Sequence, residues 1–232
     1  MSDARRLYYF TGPNFALDII ARRHLKISFP NEVNDIFELS PFDFGEGERA
    51  KAARRAWRSS IDEMSKETGF ISFSKRWTVP TMWGHYAENN KGVCFGFDVS
   101  GDLTKIDYTA KFSKFDPANL EGSDKFGKAQ SLWNYALRTK SRHWRYESEW
   151  RKYVELSESD LVLRKRGAKQ FFLPFNDDLV LKEIIIGSQK KFKAAEFEAA
   201  LGEYRGVTIK TARPSFRDFK IVKDKSRRTI RT

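Results

Sequence analysis

Cysteine and histidine are nearly missing from this chain, and both shortages narrow its chemistry. Cys94 is the single cysteine, so no internal disulfide can form and no thiolate cluster can hold a metal. His24, His85 and His143 are too few and too scattered to suggest a zinc site. No apolar run approaches the roughly 20 residues that a membrane helix needs, and Met1-Ser2-Asp3-Ala4-Arg5-Arg6 lacks an apolar signal core. No internal repeat, low-complexity tract or Gly/Ser/Pro linker divides the sequence. Walker, Rossmann, HExxH and GxSxG patterns are also absent, which removes support for the enzyme classes they mark. The expectation is a cytoplasmic protein with no membrane partner and no metal cofactor.

What is present is a long enough chain and a lopsided charge. The 232 residues are 40% hydrophobic and 32% charged, enough to bury a full core. The net charge of +12 lies almost wholly in the second half: residues 1–100 hold 14 Lys and Arg against 13 Asp and Glu, residues 101–232 hold 29 against 18. Such a basic half suits a polyanion, of which nucleic acid (DNA or RNA) is the usual one, although solubility alone also accounts for it. The division expected is a single α+β domain over 1–222 and a basic, flexible tail over 223–232 that adds nonspecific phosphate affinity.

Periodicity predicts strands at Arg6–Phe10, Leu25–Phe29, Phe70–Ser74 and Gly92–Val99, and helices at Phe15–Arg23, Glu48–Lys66 and Thr81–Ala87. The first helix should turn Phe15, Ile19 and Ile20 inward. A helix over Ala129–Lys140 follows, then strands at Glu149–Leu156, Gln170–Leu173 and Leu181–Ile186, a helix over Phe192–Tyr204 and strands at Val207–Lys210 and Phe219–Val222. The sum is an α+β fold of mixed, mostly antiparallel sheets with flanking helices.

Chemistry concentrates at Tyr146-Glu147-Ser148-Glu149-Trp150-Arg151. In a strand, Glu147 and Glu149 would face the same way, and two like charges on a half-buried face need a ligand, cation or reaction to offset them. The plain alternative is pairing with Arg145, Arg151 or Lys152 on an exposed strand; those cations are also the candidate nucleic-acid contacts beside the pair. Ser72 and Ser74 alternate on one strand face, and His85 and Tyr86 share a short helix with Trp83; each has an ordinary structural role as its alternative. Trp133, Trp144 and Trp150 suit either base stacking or core packing.

Three blocks recur in one order: Leu7-Tyr8-Tyr9-Phe10-Thr11 with Asn34-Asp35-Ile36-Phe37-Glu38; Met82-Trp83-Gly84-His85-Tyr86-Ala87 with Lys91-Gly92-Val93-Cys94-Phe95-Gly96-Phe97-Asp98; and Trp144-Arg145-Tyr146-Glu147-Ser148-Glu149-Trp150-Arg151. Over roughly 7–187 this order resembles a bacterial family known as domain of unknown function number 2971. More distantly, the opening strand, helix and Leu25-Lys26-Ile27-Ser28 resemble the ADP-ribosyltransferase fold of DarT-like toxins. That second resemblance implies NAD as a substrate, held by Tyr9, Thr11, Ser72, Ser74, His85 and Tyr86. It implies Glu149 as the carboxylate beside the ribose and Glu147 as the group that orients the nucleophile. Where that fold's first strand carries His or Arg, this chain has Tyr, with Arg6 nearby. The implied function is an NAD-dependent ADP-ribosyltransferase modifying nucleic acid, as a toxin or anti-phage effector with an antitoxin or defence-system partner. The alternatives are a metal-dependent nuclease built on Asp98, Glu147, Glu149 and Lys152, and a noncatalytic nucleic-acid-binding module.

Overall fold

The computed structural model describes residues 4–116, 125–156, 161–163, 169–189 and 191–232. Its first half contains β1 (Arg5–Thr11), α1 (Pro13–Arg22), β2 (His24–Lys26), β3 (Phe42–Asp43), α2 (Glu48–Glu67), β4 (Thr68–Ser74), α3 (Pro80–Tyr86) and β5 (Val93–Val99). Short strands β6 (Thr104–Lys105), β7 (Asp107–Thr109) and β8 (Ser113–Lys114) lead to α4 (Lys125–Arg138), β9 (Thr139–Ser141), a 3-10 turn at Arg142–Glu147 and β10 (Glu149–Glu155). Then come β11 (Leu161–Leu163), β12 (Lys169–Pro174), β13 (Leu179–Ile186), α5 (Ala194–Leu201), β14 (Thr208–Pro214), β15 (Ile221–Lys223) and β16 (Ile230–Arg231). Of the stretch from Leu103 to Gly127, residues 117–124 lie outside the described residues.

The main sheet runs β15-β14-β13-β5-β1-β4-β10-β6, with β16 on the free side of β14. Its pairs are antiparallel except β13 with β14, so the fold is α+β with mixed, mostly antiparallel sheets and flanking helices. In β1 the two-residue period sends Leu7, Tyr9 and Thr11 to one face and Arg6, Tyr8 and Phe10 to the other. Central β5 reads VCFGFDV and is buried at every position but Asp98, as expected of a strand covered on both faces. On the first face Leu7, Ile71, Phe73, Phe95 and Phe97 pack under α1 and α5. On the second, Trp83 of α3 packs on Cys94, Ile185 and Ala212. A separate core between α2 and α4 gathers Phe42, Trp57, Ile61, Phe115 and Ala136.

Local signals account for the helix ends that frame the site. Pro13 opens α1, where its missing N–H is not needed, and Arg23 closes it in the left-handed conformation at φ 54°. Pro80 opens α3 in the same way. The chain leaves α3 through three successive left-handed residues, Glu88, Asn89 and Asn90, and Gly92 then passes so close to β1 that a Cβ there would lie 2.0 Å from the Thr11 carbonyl oxygen.

Several expectations need correction. Phe15 is half exposed, and Ala16 takes its inward place beside Ile19 and Ile20, because residues three and four apart, not four and five, share the buried stripe. The helix expected to run to Lys140 ends at Arg138, and the chain continues as β9. The last ten residues are anchored: Ile230–Arg231 pairs with Thr208–Ile209, and the Thr232 carbonyl accepts from Gly206 N–H. A flexible tail over 223–232 is thus replaced by an edge strand, since Ile230 finds apolar cover on the main core. Trp133 stacks on Trp57 at 4.6 Å, and Arg5 lies over Trp150 at 4.7 Å, so these rings are engaged in packing.

Candidate active site

A cavity of about 420 Å³ opens on the second face of the sheet, where β1, β4 and β10 lie side by side. Strand register makes its floor: Ser74 lies opposite both Tyr8 and Glu149, and Ser72 lies opposite Arg151. Tyr86 and His85 of α3 line it together with Asn34 and Glu38 of the loop after β2. Lys140 from β9 and Glu147 from the 3-10 turn close the end.

Glu147 and Glu149 both enter this cavity, 4% and 3% exposed, but not by strand alternation. Glu147 ends the 3-10 turn and Glu149 begins β10; between them Ser148 adopts a left-handed backbone, φ 46° and ψ 51°. Ser74 fixes this corner, donating to the Glu147 carbonyl at 2.6 Å and accepting from Arg76 N–H at 3.1 Å. The Lys75 N–H donates to the Ser148 carbonyl at 3.0 Å. One non-glycine left-handed residue therefore gives the convergence that an unbroken strand was expected to give.

The carboxylates sit in a network of buried charge. Lys140 Nζ donates to Glu147 Oε2 at 2.7 Å and to Glu149 Oε2 at 3.4 Å. Arg151 forks to Glu149 (Nε–Oε1 2.7 Å, Nη2–Oε2 3.0 Å) and to Glu38 (Nη1–Oε1 2.6 Å, Nη2–Oε2 3.0 Å). The Ser72 hydroxyl also donates to Glu149, and the Tyr86 phenol donates to Glu147. Asn34 Nδ2 steadies that phenol at 3.4 Å. Glu32 at the rim is matched by Lys26 at 3.4 Å. Among the described residues, then, three buried carboxylates share two cations, and one negative charge is left over.

That surplus falls on Glu147. Burial pushes its carboxyl up, and the repulsion of Glu149 adds to this against the pull of Lys140 and the phenol. Burial also opposes ionisation of Glu149, but Arg151 and Lys140, with hydrogen bonds from Arg151 and Ser72, outweigh it and hold the group at about 2. Burial would lower Lys140, yet Glu149, Glu147 and Glu38 together raise it, so it stays charged. Burial and the neighbouring Glu147 raise the Tyr86 phenol, so it stays a donor. Two carboxyls pushed in opposite directions within one cavity is the pattern that separates a fixed charge from a proton acceptor.

The candidates read from sequence divide sharply. Glu147, Glu149, Ser72, Tyr86 and His85 line the cavity. Ser74 lines it too, but its hydroxyl is committed to the Ser148 corner. Tyr9 borders the cavity through its place in β1, while its ring packs edge-on to Phe73 in the first-face core; the adjacent Tyr8 is the first-strand tyrosine on the cavity side. Thr11 shares the Tyr9 face and is buried away from the site. Arg151 is 1% exposed and consumed by Glu38 and Glu149, so it cannot contact nucleic acid. Lys152 points to the opposite face and donates to the Ser100 carbonyl at 3.1 Å. Arg145 is exposed beside the cavity. Asp98 is held by Arg6 at 2.7 Å outside the cavity, so the four residues weighed for a nuclease do not come together. Among the described residues no three His, Cys, Asp or Glu side chains are arranged to hold a metal ion.

Lys140 and Glu38 were not singled out from sequence. Lys140 ends an apparent helix as one cation among many, and Glu38 sits in a loop; only the rule that buried carboxylates need cations pointed to such partners. No curated protein and no solved structure matches the chain. No helix among the described residues is long and apolar enough to cross a membrane. A family model described as "Protein of unknown function (DUF2971)" matches residues 82–152, a span that begins in α3 and ends on the Glu147–Glu149 corner with its Arg151 and Lys140 partners. That match bears out the resemblance over the second and third blocks, and the matched segment supplies His85, Tyr86, Lys140, Glu147, Glu149 and Arg151 to the cavity.

Proposed function

We propose that the cavity binds the nicotinamide-ribose end of NAD in the cytoplasm and transfers ADP-ribose to nucleic acid. The observation that carries this reading is the surplus carboxylate. A cavity one cation short favours a positively charged ring, and it favours still more a sugar that becomes cationic as its glycosidic bond breaks. The volume falls within the range of small-molecule sites.

The roles follow from the electrostatics. Glu149, held ionised, stabilises the oxocarbenium-like charge at the ribose as the C1′–nitrogen bond breaks and nicotinamide leaves with the electron pair. The Ser72 hydroxyl, exposed to the cavity, is positioned to bond a ribose hydroxyl. Tyr86 and Tyr8 offer flat rings for the nicotinamide. The acceptor's nitrogen or oxygen then bonds C1′, and its proton passes to Glu147, whose raised proton affinity suits a base. Such an activity fits a toxin or anti-phage effector restrained by an antitoxin.

Incubation with NAD labelled in the adenosine half, together with single-stranded DNA, duplex DNA, RNA and total protein, tests this directly. The expected result is label on a nucleic acid, with the rate cut about 10²–10³-fold in Glu149→Gln, as for loss of one preorganised electrostatic group. Label on protein alone, or equal transfer by Glu149→Gln, contradicts it. Strand cleavage dependent on magnesium and independent of NAD would favour a nuclease instead.

A further inference from the structure

Beside the cavity lies a second recess, of about 590 Å³, and Glu149 lines both. Three separate segments wall it: Lys75 and Arg76 after β4, Lys105–Tyr108 across β6 and β7, and Arg145 with Ser148 before β10. Lys75, Arg76, Lys105 and Arg145 are all exposed there. Among the described residues the Lys75, Lys105 and Arg145 side chains have no ion-pair or hydrogen-bond partner, and Arg76 donates only to Ser148 Oγ, at 2.8 Å. The acidic side chains in the recess do not offset them: Asp107 faces Arg138 at 3.8 Å, and Glu149 is bound to Arg151 and Lys140.

Four cations from three parts of the chain thus converge on a concavity whose two acidic side chains are paired with other cations. Solubility would be served as well by the same charges spread apart, whereas convergence raises the local potential and suits a phosphate chain. The rings in the recess are already engaged: Arg5 covers Trp150, and the Tyr108 hydroxyl accepts from Glu149 N–H at 2.8 Å. Phosphate contacts would then carry the affinity, with little base selectivity. A recess of this size is a small-ligand volume, which admits a few nucleotides of one strand and not a duplex.

We propose that this recess binds a short single-stranded segment of nucleic acid through its phosphates, next to the Glu147–Glu149 cavity. Only the further step, that a held nucleotide is presented for ADP-ribosyl transfer, rests on the reading of the cavity given above.

The test is anisotropy of the full chain with a short labelled single-stranded oligonucleotide, across a salt series and without dinucleotide. Lys105→Gln combined with Arg145→Gln should weaken binding at least tenfold at low salt and flatten the salt slope by about 1.4, since each single-strand phosphate contact contributes about 0.7. Arg227→Gln combined with Arg228→Gln removes the same charge from exposed positions elsewhere and should change binding far less. Equal effects of the two pairs, competition by duplex as strong as by single strand, or no binding by the unmodified chain would each overturn the proposal. Because no NAD is present, these outcomes leave the transfer assay to judge the cavity separately.

Discussion

Replacing Arg151 by Met removes the cation at the centre of the buried network. The guanidinium is 1% exposed and makes four hydrogen bonds, two to Glu38 and two to Glu149. Met occupies similar volume above the Phe70 ring, which the guanidinium covers at 4.5 Å, so packing changes little and charge changes most. Three buried carboxylates would then share Lys140 alone. Breaking a buried pair from one side costs about 3–5 kcal/mol, a large part of the roughly 5–15 kcal/mol that holds a domain folded. The pH dependence is the diagnostic signature. In the unmodified chain Glu149 falls from its ordinary 4.5 to about 2, so it contributes about 3 kcal/mol that is fully present above pH 4.5 and lost as pH falls toward 2. Without Arg151, Glu149 is buried and underpaired, its carboxyl rises, and protonation on acidification relieves the folded state. Urea unfolding followed by circular dichroism at pH 7 and pH 5 should therefore show Arg151→Met regaining stability at the lower pH while the unmodified chain does not. Adding Glu38→Gln should recover part of the loss. A loss under about 1 kcal/mol at pH 7, or an unchanged pH slope, would refute the charge count in the cavity.

Two further outcomes follow from single contacts. The Tyr86 phenol lowers the Glu147 carboxyl by donating to it, so Tyr86→Phe should raise that carboxyl further and move the acidic limb of the transfer rate to higher pH; an unmoved limb means Glu147 is not the base. Gly92→Ala would drive a Cβ to 2.0 Å from the Thr11 carbonyl oxygen and 3.0 Å from Gly12 Cα, backbone that cannot step aside, so a loss of about 3 kcal/mol is expected in urea unfolding, and a change below about 0.5 kcal/mol would contradict that packing.

Much of the secondary structure was legible because the signals were local and repeated. Val93–Val99 is apolar throughout and became the covered centre of the sheet; Pro13 and Pro80 marked helix starts; Glu48–Glu67 kept Trp57 and Ile61 on one stripe. The misses have different causes. Tyr8 and Tyr9 are chemically alike, and only the sheet's orientation decides which faces the cavity. Ser148 gives no sign of its left-handed backbone, because serine seldom adopts it, so the acid pair was found for a reason that did not hold. Arg151 looked like a surface cation because burial of a guanidinium depends on Glu38, which lies 113 residues away. Ile230 carried too little pattern, among eight polar neighbours in Asp224–Thr232, to announce an edge strand that forms only against β14.

The claim on which the proposed chemistry turns is that the cavity holds one more negative charge than positive. Calorimetric titration of NAD, whose nicotinamide is cationic, against reduced NADH, whose nicotinamide is neutral, measures this most directly. A unit charge about 4 Å from its partner gains up to about 4 kcal/mol near a protein surface, so NAD should bind at least tenfold more tightly, a difference of about 1.4 kcal/mol, and Glu147→Gln should abolish the preference. Equal affinity for the two forms, or a preference that survives Glu147→Gln, would contradict it.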